Sequence, residues 1–121
     1  MFNETQTVAI DGVNYALTRI NNDGYSSEYY LRGSTQEHRI RVRNSTFTRK
    51  GTSMKVDRHS IELTNVIFGA VAGDPPTTRK AYIVFENEAG DDVVDFDAFV
   101  TGFCGYVATD PLIAKALNFE S

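Results

Sequence analysis

At 121 residues the chain has room for one domain, 1–121, and little for a second core. A hydrophobic content of 41 %, with 12 % aromatic residues, is that of a folding chain, and the lone Cys104 with only His38 and His59 speaks against an internal disulfide or a structural zinc site. The formal net charge is −4. The longest nearly uncharged run, Ile61 to Gly73, is too short and too interrupted to span a bilayer, and MFNETQTVAIDG lacks the basic start and apolar core of a signal peptide.

In chain order, TQTVAI and VNYALTRI flank Asp11-Gly12, a hairpin signal, which places an N-terminal hairpin over 1–20. YSSEYYL, HRIRVRNS, SMKVDRHSIEL and RKAYIVFE follow as further β-rich runs within 25–88. Side chains alternate across a strand. In HRIRVR, therefore, Ile40 and Val42 face one way and Arg39, Arg41 and Arg43 the other. Ile61 and Leu63 belong to the core side, with Arg58, Ser60 and Glu62 opposite. Val56 breaks that parity, which suggests a bulge. In the last run Ala81, Ile83 and Phe85 share one face, and Lys80, Tyr82, Val84 and Glu86 the other. Between the last two runs lies a long loop, 69–78, stiffened by Asp74-Pro75-Pro76.

The period then changes. Val93, Phe96, Phe99 or Val100, Phe103 and Val107 recur at helical spacing after acids suited to a helix start, and Thr109 or Asp110 is placed to cap a second, shorter helix opened by Pro111. Together these give two helices over 91–119. Ala98, Gly102 and Gly105 form a strip of small residues that lets another helix or sheet approach closely, although each glycine costs a helix about 1 kcal/mol. The fold class is thus α+β: an N-terminal hairpin and an antiparallel sheet of about five strands, then two C-terminal helices on one face of the sheet.

Charge is sorted along this layout. From Arg32 to Arg58 eight basic residues stand against two acids, and from Glu86 to Asp97 six acids stand against no base. The expectation is a basic open sheet face bearing Tyr82, a platform for phosphates and stacked bases, with the acids on the helix side.

The runs RINNDGYSSEYYL (19–31), HRIRVR, DRHSIELT, RKAYIVFE and the terminal NFES resemble the coat proteins of the single-stranded RNA bacteriophages, the leviviruses, in particular the lineage infecting Caulobacter. The resemblance covers nearly the whole chain. It implies an interlocked homodimer whose sheets join edge to edge, with each subunit's helices crossing onto its partner. It also implies assembly in the host bacterial cytoplasm into an icosahedral shell, the virion, with the sheet face toward single-stranded genomic RNA. The same face would bind an RNA hairpin and repress translation. On that pattern Arg39, Arg41, Arg43, Arg58, Ser60, Lys80 and Tyr82 are the RNA-binding candidates, Ala98, Gly102 and Gly105 the dimer-interface candidates, and loop 69–78 the segment around the symmetry axes. Three arginines on one strand favour phosphate contact over base reading. The resemblance calls for no membrane partner and no cofactor.

Three other readings stand beside it. His38 and His59 could serve a nuclease as acid and base with Arg58 on phosphate, but each shares parity with an apolar neighbour, which suits packing better. The acids between Asp91 and Asp97 offer oxygen ligands of the kind calcium takes at a subunit contact, yet lack the spacing of a dedicated calcium loop, and a solvated helix face accounts for them. A cellular dimeric RNA-binding module would share the platform without the shell.

Overall fold

The computed structural model describes residues 2–121. Six strands precede two helices: β1 Thr5–Ile10, β2 Val13–Asn22, β3 Ser26–Arg32, β4 Gln36–Thr48, β5 Lys55–Ile67, β6 Thr77–Glu88, α1 Val93–Val107 and α2 Leu112–Leu117. The strands form one antiparallel sheet in chain order, so the hairpin β1–β2 is continuous with the rest and the sheet has six strands rather than about five.

Local chemistry closes each turn. Asp11 (φ 52) and Gly12 (φ 78) supply the two left-handed residues of a tight hairpin whose twist suits the flanking strands. Between β2 and β3 the Asp23 carboxylate accepts from the backbone N–H groups of Tyr25 (3.1 Å) and Ser26 (2.7 Å). Those bonds, the Ser26 one foremost, hold its pKa below the usual carboxylate value. Both β4 and β5 are 13 residues long and pair without a break from Thr48↔Lys55 to Gln36↔Ile67. No bulge therefore occurs at Val56, which lies between Phe47 and Glu88 on the Arg58 side and is nonetheless buried. A register shift occurs instead between β2 and β3, at Arg19 to Asn21.

One sheet face holds the core: Leu17, Tyr29, Ile40 and Val42 are buried, with Val8, Tyr15, Leu31, Ile61 and Leu63 packed around them. The Tyr29 hydroxyl is satisfied by the Asn3 carbonyl at 2.9 Å. Phe68 and Gly69 fix the base of the β5–β6 loop. The Phe68 N–H donates to the Thr35 carbonyl (2.9 Å), and Arg32 lies over the Phe68 ring at 4.9 Å. Gly69 comes so close to Asp74 that a Cβ there would meet the Asp74 carbonyl oxygen at 2.6 Å. Thr77 and Thr78, expected in the loop, already pair with Ile67 and Val66.

Asp92 caps α1, its carboxylate accepting from the Asp95 N–H at 3.0 Å. Pro111 occupies the cap position of α2, with no side-chain hydrogen bond. The Thr109 hydroxyl, expected as a cap, donates back to the Gly105 carbonyl at 3.0 Å and is engaged with α1. Neither helix buries any residue fully. Phe96 touches the sheet through Phe85, ring centroids 6.0 Å apart. Further along, an open cleft of ≈ 370 Å³ separates Ile61, Leu63, Ala81 and Ile83 from Phe103 and Val107.

Candidate nucleic-acid interface

The ladders fix which side chains share the face opposite the core. Four cross-strand rows run over it: Tyr30–Arg39–Thr64–Lys80, Glu28–Arg41–Glu62–Tyr82, Ser26–Arg43–Ser60–Val84 and, from β4 onward, Ser45–Arg58–Glu86. All seven residues expected from the sequence, Arg39, Arg41, Arg43, Arg58, Ser60, Lys80 and Tyr82, come together there. Tyr82 is 68 % exposed, free to offer its ring to a stacked base.

The face is not basic throughout, and that expectation is corrected. Glu28 and Glu62 stand in the middle of it, Glu37 and Glu86 at its ends. Glu28 binds Arg39 and lies 3.4 Å from Arg41, while Glu62 lies 3.7 Å from Arg41 and 3.8 Å from Lys80. Arg58 meets Glu86 at 3.6 Å and Arg32 meets Glu37 at 3.8 Å. The hydrogen bond from Arg39, reinforced by the charges of Arg39 and Arg41, keeps the Glu28 carboxyl ionised below its usual range against the cost of burial. Arg39 also lies over the Tyr30 ring at 4.8 Å. Among the described residues, Arg43 has no carboxylate within ion-pair distance.

Glu28 and Tyr30 were not anticipated as members of the site. The alternation in SSEYY could have put them on one face together. Which face it was depends on the register set by the Asp23 turn.

The histidines lie on the core side and apart from each other. His38 accepts from Asn65 Nδ2 at 3.2 Å under the Tyr15 ring, and His59 Nδ1 meets Asn44 Oδ1 at 2.7 Å beside Phe85. Arg58 projects from the opposite face, so the nuclease arrangement does not form. Asp91 and Asp92 are engaged in starting α1, the Asp91 carboxylate accepting from the Asp92 N–H at 2.9 Å. Among the described residues no group of three acids, histidines or cysteines is arranged to hold a metal ion.

On α1, Ala98, Gly102 and Gly105 are exposed, and a Cβ on either glycine would meet nothing within 4 Å. The apolar residues of the helices are also open: Phe99 is 71 % exposed, Phe103 54 % and Leu117 75 %.

The chain thus presents a charged sheet face on one side and helices with an uncovered apolar surface on the other, and comparison with solved structures gives the class of this fold. The chain has the fold of chains in virus-like particles of levi-like viruses and a bacteriophage. It is similar to a chain of the virus-like particle of bacteriophage ESE058, with 14 % identity over 99 % of this chain and 98 % of that one and a TM-score of 0.76. It is also similar to the virus-like particles of Beihai levi-like virus 21 (11 % identity, 97 % and 94 % covered, TM-score 0.75) and Wenzhou levi-like virus 4 (17 %, 96 % and 81 %, TM-score 0.60). No curated protein matches the chain in sequence.

Residues 3–88 match the family described as phage phiCb5, coat protein, and the chain belongs to that family. It is therefore a phage capsid protein, a structural component of the virion and not an enzyme. The matched residues are the six-stranded sheet.

Proposed function

We propose that this coat protein acts as a homodimer that encloses single-stranded RNA, assembling in the host cytoplasm into an icosahedral shell with the Arg43 face inward. The observation that carries the reading is the apolar surface the chain leaves uncovered. Phe99, Phe103, Ile113 and Leu117 are more than half exposed on helices that bury nothing fully, and the cleft beneath them is lined by Ile61, Leu63 and Ile83. Surfaces of this kind mark an interaction site. A second copy supplies both halves of the fit, its helices for this cleft and its cleft for these helices. The 12-residue β6 pairs on one side with β5, which leaves a long strand edge able to extend the sheet into a partner's.

RNA binding is supported by the exposed cations and Tyr82 on the opposite face, which present phosphate partners and a stacking ring together. The same face would hold an RNA hairpin and so repress translation. Electron microscopy of the chain expressed alone, with extraction of the particle contents, tests the whole reading. Closed shells containing host RNA support it. Dimers that bind RNA but never close would leave only an RNA-binding module.

A further inference from the structure

We infer that Arg43, with the Ser26, Ser45 and Ser60 hydroxyls around it, is the principal phosphate-binding point of the open face, and that Glu28 and Glu62 are built-in competitors that restrain the other cations. The inference rests on the reading that RNA lies on this face and divides the labour within it. A polyanion gains affinity by displacing mobile counterions from itself as fixed cations neutralise its phosphates. A cation already matched to a fixed carboxylate contributes less, because that carboxylate remains beside the incoming phosphate or must be parted from its partner.

Around Arg43 the rows sort the cations by this criterion. In the row on one side Arg41 is held between Glu28 and Glu62, with Lys80 reaching Glu62 and Arg39 bound to Glu28. In the row on the other side Arg58 is paired with Glu86. The Arg43 row itself, Ser26–Arg43–Ser60–Val84, contains no acid. Its serines supply hydroxyl donors for phosphate oxygens and carry no charge that repels them. Arg43 is exposed, whereas the Arg39 and Arg41 side chains are only 31 % and 35 % so. Glu28 accepts a hydrogen bond from Arg39 and lies 3.4 Å from Arg41, so it restrains two of the arginines at once.

The test measures binding of a single-stranded oligouridylate to purified protein across a salt series, for the parent, Arg43→Gln, Glu62→Gln and the charge-balanced pair Arg39→Gln with Glu28→Gln. Arg43→Gln should lower the slope of log affinity against log salt by about 0.7, one phosphate contact on a single strand. The Arg39/Glu28 pair should leave the slope unchanged, because Glu62 still holds Arg41, and Glu62→Gln should steepen it by releasing Lys80 while Arg41 stays beside Glu28. Size-exclusion and far-UV circular dichroism matching the parent establish that each variant is folded. If the charge-balanced pair misfolds, Glu62→Gln still decides the matter, because an unchanged or shallower slope overturns the role of the carboxylates. If the pair loses as much slope as Arg43→Gln, the arginines share the load and the inference fails while RNA remains on this face. If no variant alters binding, the face itself has been misassigned.

Discussion

Tyr15 on β2 reaches past β3 to lay its ring against that of buried His38 on β4, centroids 4.2 Å apart, with Gln36 Nε2 donating to the Tyr15 hydroxyl at 3.3 Å. The contact ties the N-terminal hairpin to the middle of the sheet. It places an imidazole where a positive charge is costly, and burial holds the His38 pKa below its ordinary value.

The sign of the pH dependence follows. In the unfolded chain His38 takes up a proton below about pH 6.5, while the folded chain resists it. Stability is therefore full above that value and falls as pH drops through the lowered folded pKa. Glu28, lowered by Arg39, adds a second loss within the carboxylate range. Denaturation followed from about pH 7.5 down to about pH 2.5 at fixed protein concentration checks both, since the Glu28 loss lies below the ordinary carboxylate value. His38→Gln should be less stable by about 1–2 kcal/mol above the upper step, lose that step so that the gap to the parent narrows below it, and keep the lower step.

Val42 and Arg43 are neighbours in sequence on opposite faces, Val42 5 % exposed and Arg43 exposed. Val42→Gln should cost about 1–3 kcal/mol by setting an amide in the apolar layer. Arg43→Gln should stay within about 0.5 kcal/mol of the parent, since no ion pair is lost. Thermal melts of the two variants should separate them.

Gly69 admits no side chain while Asp74 keeps its place, because the clash is with backbone. Gly69→Val should reshape the loop 68–76 without touching the ladders on either side. Soluble dimer and RNA affinity should persist, while shells become less stable or change size by electron microscopy. Loss of the soluble protein would mean instead that the loop belongs to the fold.

Gly102 gives opposite outcomes for a free helix and a covered one. With nothing within 4 Å of a Cβ there in the single chain, leucine should strengthen a free helix by about 1 kcal/mol. If a partner packs against Ala98, Gly102 and Gly105, Gly102→Leu should instead overfill the contact and abolish assembly. Size-exclusion chromatography with light scattering distinguishes a more stable particle-former from an unassembled chain.

What the sequence discloses divides along the range of the interactions. The parity of HRIRVR is local, fixed by the alternation of a strand, and the structure bears it out: His38, Ile40 and Val42 are buried, and Arg39, Arg41 and Arg43 are on the other side. The α1 boundaries follow from Asp92 and the apolar spacing in the same way. The charge on the open face is not local. Parity alone puts Glu62 and Glu86 on that face, but Glu28 reaches Arg41 only through the β3–β4 register and Glu62 only through the β4–β5 register, so charges counted along the chain do not show carboxylates standing between the arginines. Val56 shows the converse: an apolar residue on the polar side suggested a bulge, but the β4–β5 ladder runs straight and buries it where it stands. Pro111 took the α2 cap because the Thr109 hydroxyl is engaged one turn back.

The central claim is that two copies complete each other's helix layer and turn the Arg43 face to RNA. Cryo-electron microscopy of particles from the chain expressed alone tests it most directly. The account expects α1 of one copy over Ile61, Leu63 and Ile83 of its partner, β6 edges adjoining, and nucleic-acid density above the Ser26–Arg43–Ser60 row. A map with each pair of helices closed onto its own sheet, or with nucleic-acid density on the helix side, would contradict it.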